Sequence, residues 1–250
     1  NLHKSIGQTP LDAINLYKSE NPGYKDIKMA YAGRLDPMAE GLLLVLVGEE
    51  CKKRDEYQKL PKTYEFEVLF GIETDNYDLL GLITNSDKKK NLFPPQAQTA
   101  SELKKILPQF IGKQTQPYPP YSAARVNGKP LYYWAREGKL NEIIIPQKQI
   151  QIYSLEFKGL RTIDCQNTNS IINRRISKVN GNFRQMEICE KWEKFLGKSP
   201  TQKLQIAKFE ICCSSGTYVR SIATQIGKKL NTFALAFSIK RTKIGTFSIF

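Results

Sequence analysis

The sequence predicts a fold that mixes strands with helices, and three observations carry that expectation. Gly41 to Gly48 is an unbroken apolar run bracketed by glycines, the length and composition of a strand buried on both faces. Two stretches alternate instead: Tyr64, Phe66, Val68 and Phe70 against Glu65 and Glu67, and Ala207, Phe209, Ile211 and Cys213 against Lys208, Glu210 and Cys212. That period of two places one apolar face on a core. The third is helical, a stripe at Val219, Ile222, Ala223, Ile226 and Leu230.

Composition bounds the function. The 250 residues are 40% hydrophobic and 25% charged, enough for one large domain or two small ones with an ample core. No apolar run reaches membrane-spanning length and the start does not read as a signal peptide. Lys and Arg number 38 against 24 Asp and Glu, a net charge of +14, which favours a polyanionic partner through counterion release. The five cysteines (Cys51, Cys165, Cys189, Cys212 and Cys213) have no Cys-x-x-Cys spacing, so a reducing cytoplasm with neither disulfide framework nor zinc site is expected. His3 is the single histidine, which excludes a His-based triad and most His-containing zinc sites. No metal and no cofactor are expected.

In chain order, His3 to Pro10 reads as a loop, and Leu11 to Tyr17 as a short helix with Leu11, Ile14 and Leu16 apolar. Asp36-Pro37 then lies between Gly33 and Gly41, where the backbone should turn at the rim of the buried strand. A carboxylate so placed suits a reacting group on a rigid scaffold, and equally a turn residue that accepts backbone hydrogen bonds. Asp75 and Asp78 follow the second strand as candidate turn residues before Gly81. Thr99 to Glu102 has capping-box spacing ahead of Leu103, Ile106 and Leu107, with Pro108 ending that helix.

From Gln116 to Gly138 a proline-rich loop passes an Asn127-Gly128 turn into a helix opened by Pro130 and closed by Gly138. Aromatics interleave there with Arg125, Lys129 and Arg136, a mixture that suits RNA and also suits a packed aromatic cluster. Residues 161–203 read as a polar, irregular excursion, more a tolerated insertion than an RNA-facing surface. Arg220 falls in the first turn of the last helix, where a cation opposes the helix dipole and so calls for a carboxylate partner.

Separated strings, in chain order, resemble the TruB family of pseudouridine synthases. Gly33-Arg34-Leu35-Asp36-Pro37-Met38-Ala39-Glu40-Gly41 is similar to its nucleophile motif, and Lys62-Thr63-Tyr64 with Phe70-Gly71-Ile72-Glu73-Thr74-Asp75 to its second motif. Tyr121-Ser122-Ala123 to Leu131-Tyr132 and Ala135-Arg136-Glu137-Gly138 resembles the thumb-like insertion that grips the tRNA T-loop. Cys213-Ser214-Ser215-Gly216-Thr217-Tyr218-Val219-Arg220 and Ile239-Lys240-Arg241 resemble the closing motifs, with Ile239 where the family has Leu. The opening Lys4 to Pro10 is a looser match to the family's Lys-Pro-x-Gly-x-Thr-Ser.

The resemblance implies an α+β pseudouridine synthase catalytic fold, with a mixed, mostly antiparallel sheet, flanking helices and a central RNA-binding cleft. Residues 1–250 would form one catalytic domain, with the gripping insertion at about 114–140 and no segment forming the small C-terminal RNA-binding domain of many relatives. The implied activity is a tRNA pseudouridine(55) synthase, an isomerase needing no cofactor, acting as a monomer on the T-loop. Asp36 would be the nucleophile, Arg220 its partner, and Tyr64 the ring stacked on the flipped uracil and a candidate relay for the C5 proton. Asp75 would orient Arg220, Tyr218 and Ile239 would wall the pocket, and Tyr121, Arg125, Lys129 and Arg136 would hold RNA. Tyr31 stands where the family usually has a His that helps present the target base, and would replace it by stacking. Two alternatives remain at this point: an RsuA- or RluA-like ribosomal RNA synthase, and a tRNA-binding or tRNA-folding protein without catalysis.

Overall fold

Alternating strands pair in this protein, and what the alternation leaves on each face decides where the helices go. The structure, a computed structural model, describes residues 1–87 and 96–248. In chain order the strands are β1 (Leu2–Lys4), β2 (Met29–Tyr31), β3 (Ala39–Leu43), β4 (Val45–Val47), β5 (Lys62–Phe70), β6 (Ile72–Thr74), β7 (Ile83–Ser86), β8 (Gly112–Pro117), β9 (Arg125–Val126), β10 (Lys129–Pro130), β11 (Gln147–Asp164), β12 (Lys203–Cys213), β13 (Ala234–Ile244) and β14 (Phe247–Ser248). The α-helices are α1 (Pro10–Glu20), α2 (Arg54–Lys59), α3 (Gln96–Ile106), α4 (Leu131–Arg136), α5 (Cys165–Ile176), α6 (Gln185–Leu196) and α7 (Val219–Lys229).

The main sheet runs β1-β3-β13-β5-β12-β11-β8, with β14 beside β13. Among the strands of the described residues only β3 and β13 pair in parallel, so the sheet is mixed and mostly antiparallel as expected. Phe66, Val68 and Phe70 of β5 share a face with Ala207, Phe209, Ile211 and Cys213 of β12. Against them pack Leu103, Leu107 and Phe110, and Ile222, Ala223 and Ile226 of α7. The other face presents Leu69, Ile206, Leu235 and Phe237, covered by Ile172 and Ile176 of α5 and Ile188, Trp192 and Leu196 of α6. Each fully buried side chain of this size contributes about 1.5–3 kcal/mol relative to exposure.

That second layer corrects the reading of residues 161–203 as irregular. The segment finishes β11, forms two helices and enters β12. Its polar composition conceals apolar residues four apart (172 and 176; 188, 192 and 196), the spacing that stacks side chains on one helix face. Three smaller expectations also change. The run 41–48 is two strands, because at Leu44 the chain leaves the main sheet and β4 pairs with β2 instead. Helix α1 exposes Leu11 and Leu16 and buries Pro10, Ala13 and Ile14, its start fixed by a capping box between Thr9 and Asp12. Thr99 lies inside α3, which begins at Gln96, and so does not cap it.

Candidate active site

Asp36 sits in the loop between β2 and β3, and the loop is tied down on every side. Leu35 is anchored in one core and Met38 in the other. Ala39 N–H donates to the Asp36 carbonyl at 3.0 Å, and Gly7 N–H to the Pro37 carbonyl at 2.8 Å. Arg241, 1% exposed, donates from Nε to Leu42 O (2.8 Å), from Nη2 to Gly33 O (3.2 Å) and from Nη1 to Arg34 O (3.3 Å). Lys4, also buried, donates from Nζ to Ala39 O at 2.6 Å. Burial pulls the Lys4 ammonium down to about 8, against the opposing pull of Asp36. Gly41 is required for this approach: at φ +110° it lets the Arg241 backbone in, and a Cβ there would lie 2.3 Å from Arg241 O.

The partner of Asp36 comes from the first turn of α7. Arg220, 2% exposed, donates from Nε to Asp36 Oδ2 at 2.8 Å. Its Nη1 donates to Asn76 O at 2.6 Å and to Asn76 Oδ1, and its Nη2 to Tyr121 O at 3.4 Å. Asp78 Oδ2 stands 3.8 Å from Nε. Burial alone would disfavour the cation, but Asp36 and then Asp78 more than restore it, and the guanidinium is shifted upward. Asp78, buried, is pushed up to about 7: burial raises it, Arg220 opposes, and the Asp36 charge raises it further. Its Oδ1 accepts from Leu80 N–H (2.8 Å) and Asn76 Nδ2 (2.9 Å).

Two rings flank the pair. Tyr64 lies in β5 opposite Arg241, and its phenol is shifted up by burial, with Arg241 opposing and Asp36 adding to the rise. Tyr218 caps α7 and stacks edge-on with Tyr118 at 5.7 Å between centroids. Buried Gln116 brackets the Tyr218 backbone, accepting its N–H at 2.8 Å and donating to its carbonyl at 3.2 Å. The arrangement is therefore an ionic carboxylate, one-third exposed, over a fully buried guanidinium and beside phenols that stay protonated.

Comparison with known proteins settles the family. Residues 22–171 match the sequence profile described as TruB family pseudouridylate synthase, N-terminal domain. The chain is 32% identical over 250 residues to a tRNA pseudouridine synthase B of Caldicellulosiruptor saccharolyticus, covering 98% of this chain and 67% of that protein. It is 31% identical to the same-named protein of Bartonella quintana, covering 88% of this chain and 63% of the relative. This chain belongs to the TruB family. The chain thus spans about two thirds of the length of these relatives. Among solved structures, a Cbf5-Nop10-Gar1 complex contains a chain with TM-score 0.56 at 16% identity, covering 99% of this chain and 49% of that one, a likeness of fold.

The RsuA- and RluA-like alternative falls with that TruB placement. Of the residues expected at the site, Asp36, Arg220, Tyr64 and Tyr218 come together. Ile239 is buried just behind them, in register with Ala39 and Phe66. Asp75 does not orient Arg220. Its Oδ2 accepts from Tyr121 Oη (3.0 Å) and Arg184 Nη1 (2.9 Å), and its Oδ1 from Leu82 N–H (2.9 Å). Asn76 and Asp78 hold Arg220 instead, since the turn that places Asp78 inward aims Asp75 the other way. Tyr31 is outside this network, half-buried on β2 with the Arg54 guanidinium 5.7 Å from its ring centroid.

The expected gripping segment forms a β9–β10 hairpin around Asn127-Gly128, both at positive φ, followed by α4. Arg125 donates to Gly128 O at 2.9 Å, Lys129 to Tyr133 Oη at 3.0 Å, and Arg136 to Asn182 O at 2.8 Å, all three exposed. Among the described residues no helix is long and apolar enough to cross a membrane.

Proposed function

We propose that this chain is the catalytic domain of a tRNA pseudouridine synthase that isomerises the uridine at position 55 of the T-loop. The observation that carries the reading is the Asp36 carboxylate held at 2.8 Å by a buried Arg220. The reaction breaks the N1–C1′ bond, turns the uracil and joins C5 to C1′; C5 loses a proton and N1 gains one. It is redox-neutral and runs without a cofactor. The base must leave the stack to reach a loop carboxylate, as in other base-modifying enzymes. Asp36 would act as the nucleophile, at C1′ or C6, or assist through a glycal. Tyr64 would stack on the extruded uracil, with Tyr218 and Ile239 as pocket walls.

The +14 charge and the exposed Arg125, Lys129 and Arg136 supply the phosphate contacts that fix register on the RNA. The enzyme would work as a cytoplasmic monomer with tRNA as its partner. The test is mass-spectrometric mapping of pseudouridine in an unmodified tRNA transcript, for the parent and for Asp36→Asn. Asp36→Asn keeps the shape but removes the charge, so product formation should fall by at least about a thousandfold while tRNA affinity holds. Conversion by Asp36→Asn at a near-parental rate would remove Asp36 from the chemistry. A parent that binds tRNA and makes no pseudouridine in any RNA tested would favour the binding-protein reading.

A further inference from the structure

The α5–α6 layer does more than cover the sheet. The loop that joins these helices reaches the gripping segment and the turn beside the active site. Ile188, Trp192 and Leu196 fix α6 to the sheet, which makes its first turn a rigid post. The loop before it is tied to itself: Gln185 donates to Val179 O (3.0 Å) and Gly181 O (2.6 Å), and accepts from Phe183 N–H (2.8 Å). At the top of that post Arg184 adopts φ +63°, a left-handed conformation uncommon for a residue with a long side chain. Such outliers persist where the surroundings hold them, and here the guanidinium is held at both its edge and its face.

From the edge, Nη1 donates to Asp75 Oδ2 at 2.9 Å, the same oxygen that accepts from Tyr121 Oη at 3.0 Å. From the face, the guanidinium carbon stands 4.7 Å from the Tyr121 ring centroid. Two residues earlier, Asn182 O accepts from Arg136 at 2.8 Å. Both ends of the gripping segment therefore meet one loop. Tyr121 in turn lends its carbonyl to Arg220, the partner of Asp36.

We propose that Arg184 is a positioning residue: it fastens the gripping segment onto Asp75 and so sets where the tRNA-facing hairpin stands. Its kinetic consequence rests on the synthase reading above; the fastening itself does not. Arg184→Gly is the informative variant, because glycine adopts the left-handed backbone freely and the fold should keep its melting temperature. Hydrogen exchange of amides across 118–138 in the free protein should rise by about tenfold or more, as expected for loss of a charge-assisted contact, while α7 stays protected. On unmodified tRNA transcript KM should rise about tenfold and kcat fall by less than about threefold, the signature of a loosened binding surface.

Arg184→Lys keeps a donor for Asp75 but not the planar face, so it should recover part of the loss. The salt dependence of tRNA binding should not change, because Arg184 is already paired. A slope smaller by about one would make Arg184 a phosphate contact and overturn the proposal. So would unchanged exchange across 118–138, an unchanged KM, or Arg184→Lys no better than glycine. If the parent makes no pseudouridine while the exchange rises as stated, the synthase reading fails and the fastening stands.

Discussion

Two arginines disappear into the interior beside the same loop, and they do opposite work. Arg220 meets carboxylates, Asp36 at 2.8 Å and Asp78 at 3.8 Å. Among the described residues Arg241 has no carboxylate within ion-pair distance. It donates instead to the carbonyls of Gly33, Arg34 and Leu42. A guanidinium tolerates this better than an ammonium, being weakly hydrated and carrying five fixed donors. Arg241 therefore holds the backbone on both sides of Asp36, and Arg220 holds the carboxylate. The loop's shape and the carboxylate's charge environment are set by separate groups, so each can be removed alone.

The sharpest way to break the comparison is to truncate each. Arg241→Met leaves three inward carbonyls without their donor, which should cost about 3–5 kcal/mol. At about 2–4 °C per kcal/mol for a chain of this size, a thermal melt should show a drop of roughly 6–20 °C. Arg220→Met removes the counter-charge from Asp36, which is one-third exposed and can take up water, and also the donors to Asn76 and Tyr121, so it too costs some stability. Its pseudouridine formation should fall by about a hundredfold or more, out of proportion to its loss of stability. Equal losses of stability and of turnover per folded molecule in the two variants would dissolve the distinction.

A pH titration sharpens the Arg220 side. Asp78 is pushed from the ordinary carboxylate range up to about 7, first by burial and then by its standoff with Asp36 over a shared guanidinium. The folded state then holds a proton that the unfolded chain has released. The sign follows: this contribution is fully present below the unfolded value near 4 and is lost as pH rises through about 7. Urea midpoints of the parent should therefore decline between these limits, and the decline should flatten in Asp78→Asn. A parent whose stability climbs steadily over that range, with Asp78→Asn following it, would show that Asp78 is not the titrating group.

How much of this could be read in the sequence follows the same division. That Arg220 needs a carboxylate partner was legible because it occupies a helix turn where its charge is locally unwelcome; that the partner is Asp36, a turn carboxylate at the rim of an apolar strand, followed only from the family resemblance. Arg241 was legible as a motif position only, since nothing in Ile239-Lys240-Arg241 says that backbone carbonyls will receive it. The choice between Asp75 and Asp78 was not legible: three positions apart in a turn, they face different sides, and spacing does not say which is inward. Arg184 was beyond reach because its contact with Asp75 spans 109 positions and depends on how α5 and α6 dock. The signal for those helices was present in Ile172 and Ile176, and in Ile188, Trp192 and Leu196, outweighed by the polar residues around them.

The smallest effect is expected outside the network of both arginines, at Tyr31. If this ring replaces the family histidine by stacking, its loss removes a base–aromatic contact worth about 1–3 kcal/mol, a roughly 5- to 150-fold change in tRNA affinity. Tyr31→Ala should show that loss in a binding titration, and Tyr31→Phe should be nearly silent, because the phenol oxygen is not what a stacked base uses. Arg54 stands 5.7 Å from the ring centroid, so a base would take the opposite face and complete a sandwich. On that geometry Arg54→Gln should weaken binding by less than Tyr31→Ala, and the two changes together by no more than Tyr31→Ala alone, since Arg54 acts through the ring. Equal losses for Tyr31→Ala and Tyr31→Phe would assign the role to the hydroxyl. Additive losses for Tyr31 and Arg54 would make Arg54 a phosphate contact in its own right and leave the ring without its stacking partner.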